Sequence, residues 1–369
     1  MKRIVRLIPA VIFLLPATGI PAQQQTPDQP SRYHLLQLVD PVTFLEKIND
    51  TADQGYRLTA LSSASGGTLA AIMERVEEPS AHYHYLAIAL HGTKSKYETP
   101  GKTKVEVAEQ LNAAGAKAYR LSTMFSPSST AASTLALMES NSDRRQHYEY
   151  ALTSPGTFGY YKQDEISGLL AAGYHWAGAA TTFLIFERTI ETDSPPASPQ
   201  EQPAATSHRR LTFPENNVIR RDLPEKQLRK LAAQGARVVD FFGSSMQMIL
   251  AMEEFVPPAA PYQYLVLKPR NQASPLSLRA NMSKVEAVDL THLGQQGFRF
   301  LRLSAPAPPF IMEKAPGSSA HYEYRFITTF KLAELAEQLN SPELGAFHVA
   351  KMVGTDEGFL VIVEKSDGE

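Results

Sequence analysis

The chain has 369 residues, 43% hydrophobic and 20% charged. This is a globular composition that excludes wholesale disorder and collagen-like or coiled-coil chains. With 36 Lys and Arg against 38 Asp and Glu, the formal net charge is −2, so no bulk attraction to nucleic acid or an anionic membrane is expected. There is no cysteine, which excludes disulfides, zinc–thiolate sites, iron–sulfur clusters and a thiol nucleophile.

The N-terminus reads as an export signal. Lys2, Arg3 and Arg6 precede an apolar stretch from Leu7 to Ile20, and small residues follow at Ala17, Gly19 and Ala22 before Gln23-Gln24-Gln25. That order is the pattern of a secretory signal peptide, 1–22, with cleavage expected near Ala22. The apolar stretch is roughly 14 residues, short of the about 20 needed to span a bilayer. No later segment approaches that length, so no transmembrane segment is expected after signal removal. The mature chain is expected to be exported, with the periplasm as its compartment.

After Ser31 three landmarks recur in one order. The first is a glycine after a Leu-rich stretch: Gly55, Gly115, Gly173, Gly235, Gly297 and Gly345, at intervals of 60, 58, 62, 62 and 48 by subtraction. The second is an apolar run ending in Glu, at Glu74, Glu139, Glu187, Glu253, Glu313 and Glu364. The third is Tyr-x-Tyr, at Tyr83-His84-Tyr85, Tyr148-Glu149-Tyr150, Tyr262-Gln263-Tyr264 and Tyr322-Glu323-Tyr324. Apolar residues at helical spacing precede each glycine, as at Ile166, Leu169 and Leu170, and alternation follows it, as at Tyr56, Leu58 and Ala60. Counted from Tyr-x-Tyr, each unit therefore reads strand, helix, strand, strand. The glycine falls where a helix C-cap needs a left-handed residue, which predicts positive φ at Gly115, Gly173, Gly235 and Gly297.

The six units group as three plus three. A Pro/Ser/Ala-rich stretch at 191–208 carries no landmark and reads as a linker. It separates repeat domain 1, residues 31–190, from repeat domain 2, residues 209–366. The expected fold class is α+β: six strand–helix–strand–strand repeats in two three-unit domains, mainly antiparallel sheet with helices on one face.

At Tyr322-Glu323-Tyr324, Leu335 to Leu339, Gly345 and Val361-Ile362-Val363-Glu364-Lys365 the chain resembles a short bacterial family known only by a domain-of-unknown-function number. Its members share an aromatic-x-Tyr strand, a Leu-rich helix ending in Gly and an apolar strand with a basic end. This chain departs from it in being tandem and sixfold, and in having Gln54-Gly55-Tyr56 where the family has Glu-Gly-Trp. The resemblance implies a fold and brings no catalytic residues. A second, more distant likeness is to exported glycan-binding domains of the cell-division type, which place two strands between helices where this chain places three.

Candidate chemistry is sparse. His82 and His84 would emerge on one face of a strand and could supply two ligands to a zinc ion. The matching positions His147 and Glu149, His321 and Glu323, and Pro261 and Gln263 favour a polar outer face opposite core tyrosines instead. The recurring Glu is read as a strand-end surface charge, pairing with Arg75, Arg188, Lys314, Lys365 or a cross-strand base. Ser65-Gly66-Gly67 reads as a turn, Trp176 as core, and no phosphate loop, dinucleotide fingerprint or nucleophile elbow is present. No catalytic, cofactor-binding or metal residue is assigned, and no cofactor. The reading is a non-enzymatic exported repeat protein, a binding or scaffold module of the periplasm or envelope with an envelope protein or glycan as partner. The alternatives are an envelope hydrolase or metal-binding enzyme with its site between the halves, and peptidoglycan or glycan binding.

Overall fold

The computed structural model describes residues 31–367 except 39–40, 64–68, 78–80, 91–99, 126–133, 144–145, 154–162, 181–182, 191–207, 213–224, 244–247, 257, 268–286, 303–309, 330 and 356–357. The expected signal peptide, the linker apart from His208, and the Ser65-Gly66-Gly67 turn lie outside the described residues.

Six successive blocks follow one order of elements. The first holds β1 (Tyr33–Leu38), α1 (Pro41–Ala52), β2 (Tyr56–Ser63) and β3 (Leu69–Arg75). The second holds β4 (Tyr83–Ala89), α2 (Pro100–Gly115), β5 (Arg120–Phe125) and β6 (Leu135–Asn141). The third holds β7 (His147–Thr153), α3 (Gln163–Ala171), β8 (His175–Ala179) and β9 (Leu184–Ile190). The fourth holds β10 (His208–Thr212), α4 (Glu225–Ala233), β11 (Arg237–Gly243) and β12 (Met248–Val256). The fifth holds β13 (Gln263–Leu267), α5 (Ala287–Gln295), β14 (Arg299–Phe300) and β15 (Phe310–Lys314). The sixth holds β16 (Tyr322–Thr329), α6 (Leu332–Leu339), a 3-10 turn (Pro342–Leu344), β17 (His348–Thr355) and β18 (Gly358–Ser366). In every block the third strand lies between the first and the second, antiparallel to both.

The apolar runs that end in Glu are these middle strands, and they are buried on both faces. In β3, Ala70 and Ile72 join one core while Leu69, Ala71 and Met73 join the next. The same split recurs at β6, with Leu137 on one side and Ala136 and Met138 on the other. A period of two on a strand covered on both sides makes this unavoidable. Each helix presents one buried stripe, such as Phe44, Ile48 and Ala52 or Leu335 and Leu339. It packs on the first strand of the following block: α1 on β4, α2 on β7, α3 on β10, α4 on β13, α5 on β16 and α6 on β1. The last contact closes the series into a ring. Tyr33 N–H donates to Asn340 Oδ1 at 2.8 Å, and Asn340 Nδ2 donates back to Tyr33 O at 3.0 Å.

Residues from Arg32 onward form one compact unit. Two of its cores draw on both 31–190 and 209–366. One joins Tyr33, Ala70 and Ile72 to Leu335, Val361 and Val363, and another joins Ile166, Leu170 and Phe186 to Leu211 and Ala251.

Three of the four glycines expected to cap helices are left-handed, Gly173, Gly235 and Gly297, with φ of 84°, 86° and 88°. Gly115 is not. In the second block the left-handed residue is Ala118, φ 64°, whose N–H closes on Gly115 O at 3.0 Å while Tyr119 N–H reaches Ala114 O. Gly115 serves a different need, because a Cβ there would stand 2.0 Å from Tyr148 O on β7. The helix can approach the next block only without that carbon.

The two roles separate experimentally. Gly55, with φ 89° and open space around its Cβ position, should lose about 1 kcal/mol on Gly55→Ala, the cost of a left-handed side chain. Gly115→Ala has ordinary backbone geometry but overpacks a junction. It should cost more, up to about 3 kcal/mol, in urea denaturation of the two variants side by side.

Candidate functional site

The most elaborate side-chain chemistry lies at the junctions between blocks. β2 leaves one edge open, and Leu58 N–H on that edge donates to the Tyr85 hydroxyl of the next block at 2.8 Å. The hydroxyl donates in turn to Glu139 Oε2 at 3.0 Å. Glu139 is 3% exposed, and a carboxylate so buried needs a cation. Arg57 supplies it from the preceding block, with Nε and Nη2 each 3.1 Å from a carboxylate oxygen. The outer face of the guanidinium lies over the Tyr83 ring, 5.2 Å from its centroid. Both tyrosines of Tyr-x-Tyr are thus used, one as a hydroxyl relay and one as a cation–π lid.

The same arrangement recurs three times. Arg120, Tyr150 and Glu187 join blocks two and three, with Leu121 N–H on the hydroxyl at 2.9 Å. Arg237, Tyr264 and Glu313 join four and five, with Val238 N–H at 2.8 Å. Arg299, Tyr324 and Glu364 join five and six, with Phe300 N–H at 2.8 Å. Tyr148, Tyr262 and Tyr322 lie beneath Arg120, Arg237 and Arg299. At the closing junction Tyr33 OH lies 3.1 Å from Glu74 Oε1 and 3.0 Å from Phe347 O. There His348 stands in the Arg position, 3.1 Å from Glu74, and Arg32 adds a 2.7 Å bond to the same oxygen.

The opposite edge of several sheets is held from the preceding helix. Asn49 pins both backbone groups of Tyr85, at 2.7 and 3.0 Å. Asn112 does so for Tyr150, and Thr291 for Tyr324.

The expectation that the recurring Glu is a surface charge is therefore corrected. Glu139, Glu187, Glu313 and Glu364 are all buried, and their cations come from the preceding block. Arg188 instead pairs with Glu149, Lys314 donates to Gln296 O, and Lys365 reaches Glu323. Burial would raise the Glu187 carboxyl, but His175, Arg120 and Tyr150 outweigh it and hold the group below the usual range. Burial pushes the Tyr85, Tyr150, Tyr264 and Tyr324 phenols above their ordinary value, and the adjacent carboxylate adds to the push.

Other candidates are more isolated. His82 and His84 are exposed on the outer face while Tyr83 and Tyr85 are buried, as alternation predicts. His84 Nδ1 lies 2.8 Å from the Tyr119 hydroxyl. Among the described residues no cluster of three His, Cys, Asp or Glu could hold a metal ion. An open groove of about 600 Å³ between α2 and β7 is lined by Lys104, Val105, Ala108, Glu109, Asn112 and Leu152. One polar group breaks the sixfold pattern. Asp240, 4% exposed, accepts Trp176 Nε1 at 3.2 Å and Phe241 N–H at 2.8 Å. Lys351 feels the Asp240 charge, yet burial pushes its ammonium down to about 8. Both residues follow a bulge in the second strand of their blocks, where Ala60, Thr123 and Gly178 stand in the first three.

No family model, no curated protein and no solved structure matches the chain.

The junction relay has a measurable signature. Tyr85→Phe leaves Leu58 N–H without the hydroxyl acceptor and takes one of several donors from Glu139, and should cost about 1–3 kcal/mol at neutral pH. The buried tyrosines keep their protons above pH 10 while an unfolded chain loses them. The folded state then binds more protons, so stability falls as pH rises beyond about 10. Urea titrations at a series of alkaline pH values should show a shallower fall for Tyr85→Phe than for the wild type.

Proposed function

We propose that the chain is an exported, non-enzymatic protein of the periplasm or cell envelope, a binding or scaffold module built from six tandem copies of one strand–helix–strand–strand unit. The observation that supports this most is the use made of the recurring carboxylates. A row of acids in equivalent places would be the natural seat of chemistry, yet Glu139, Glu187, Glu313 and Glu364 each satisfy a neighbour's Arg and a Tyr hydroxyl. They act in cohesion, and what the ring offers outward is surface, which suits recognition of a protein or polymer. The tandem reading is supported by the common strand order of the six sheets and by the basic residue two positions after the left-handed residue that follows the helix in the first five blocks, Arg57, Arg120, His175, Arg237 and Arg299. Likeness to the short bacterial units belongs to the same reading.

An envelope enzyme is the competing reading, and one observation favours it. Trp176, Asp240 and Lys351 come from three different blocks, and Lys351 carries an amine pushed down to about 8 by burial. A perturbed amine at a position that other blocks fill with Ala, Thr or Gly is what a catalytic site could use.

Export is tested by N-terminal sequencing of the mature protein from fractionated cells, where a start just after Ala22 is expected and an intact Met1 on a membrane-bound product would refute the reading. The binding role is tested by pull-down from envelope extract with and without purified peptidoglycan as competitor. A retained envelope protein supports the scaffold reading, loss of all retention to peptidoglycan moves the reading to glycan binding, and turnover of an envelope substrate that Lys351→Met abolishes would replace it with the enzyme reading.

A further inference from the structure

We propose that the ring opens at one designated place, the junction between the third and fourth blocks, and that the other five junctions hold while it does. The comparison among junctions carries this. Four of them are closed by the same charged relay, in which an Arg crosses to a buried Glu and a Tyr hydroxyl joins that Glu to an edge N–H of the preceding block. The closing junction, six to one, keeps the Tyr and the Glu and gains Arg32, which reaches both Glu74 and the Gly345 carbonyl.

The third–fourth junction is built differently at each of these places. Register pairs Leu211 with Glu253, as it pairs Tyr85 with Glu139 and Tyr264 with Glu313. Leu211 therefore occupies the position of the relay tyrosine and has no hydroxyl to offer. His175 occupies the Arg position, and its Nε2 lies 3.3 Å from Glu187 of its own block. Other bonds cross here. Gln163 Nε2 donates to Leu211 O at 2.6 Å and Trp176 Nε1 donates to Asp240 Oδ2 at 3.2 Å. Apolar contact is added by Ile166, Leu170 and Phe186 against Leu211 and Ala251.

Apolar contact resists opening in proportion to area, with no strongly directional barrier. The charged relay adds an Arg–carboxylate pair, and breaking it takes a cation away from a buried Glu. Four junctions carry that relay and the closing one keeps a Tyr–Glu contact reinforced by Arg32 and His348, so the ring opens at the junction that has neither. Blocks one to three and four to six then part on one side and stay joined through the Tyr33–Asn340 clasp on the other.

Native-state hydrogen exchange of the full mature chain, read by mass spectrometry, tests this. Amides of β8 and β10 should exchange about tenfold or more faster than those of β2, β5 and β11, where tyrosine hydroxyls cap the edge. The double variant Leu211→Tyr, His175→Arg installs the missing relay and should slow β8 and β10 to the rate of the other edges without changing β1 or β17. Uniform protection around the ring, or first opening at β1 and β17, would overturn the proposal. So would a folded double variant with unchanged exchange. If the double variant does not fold, the ranking of rates in the native chain decides alone.

Discussion

A three-stranded sheet has two open edges, and the backbone groups along each must find partners or water. Much of this structure follows from how that requirement is met. On the first strand, an Asn or Thr from the preceding helix takes both groups of one residue, as Asn112 does for Tyr150. On the second strand, a Tyr hydroxyl from the following block takes one N–H, as Tyr264 does for Val238. Each solution creates the next need. The hydroxyl that accepts from the backbone must donate elsewhere, and a carboxylate is placed to receive it. The carboxylate is buried and needs a cation, and the Arg that arrives has one face left to cover, which the first tyrosine of Tyr-x-Tyr supplies. A single edge requirement thus accounts for three landmark residues at each of the four relay junctions and for the orientation of one block on the next there.

Closure removes a second difficulty. An open array of such blocks would leave an apolar face bare at each end, and open solenoids need polar terminal repeats for that reason. Here the back of β3, with Ala70 and Ile72, is covered by α6 and by Val361 and Val363 of the sixth block. No block is terminal. A chain without cysteine obtains its cohesion from six shared cores and six junctions, each of which depends on the two beside it.

Part of this was legible in the sequence and part was not. The elements and their order were, because the alternation of Tyr56, Leu58 and Ala60 and the four-residue spacing of Ile48 from Ala52 or Leu228 from Ala232 are local signals. The destination of the Glu side chains was not. Arg57 lies opposite Glu74 in the register of its own sheet but bonds Glu139 of the next block, and sequence spacing cannot choose between two equivalent acids. The choice is made by the turn of one sheet against another, which is a property of the packing. Gly115 shows the same limit at one residue. A glycine after a leucine stripe looks like a helix cap, yet this one makes room for Tyr148 O and the cap falls on Ala118. The signal that could have found the junction is the basic residue two positions beyond the left-handed one, which four blocks supply as Arg.

Regularity also locates where specific function must be sought. A residue type that performs one cohesive task in several equivalent places cannot be retuned in all of them at once without loosening the ring. Any specialised chemistry therefore has to sit at positions the common pattern leaves open. The residue after the second-strand bulge is such a position, since it is Ala60, Thr123 or Gly178 in the first three blocks and takes no part in the relay. Asp240 and Lys351 fill it with charge, and burying charge is costly unless something is gained. Asp240 takes its hydrogen bond from Trp176, the only tryptophan of the chain. Asp240 and Trp176 face each other across the junction where Leu211 and His175 replace the relay. Asp240, Trp176, Leu211, His175 and Lys351 thus lie in the third, fourth and sixth blocks, at positions where other blocks carry the common pattern.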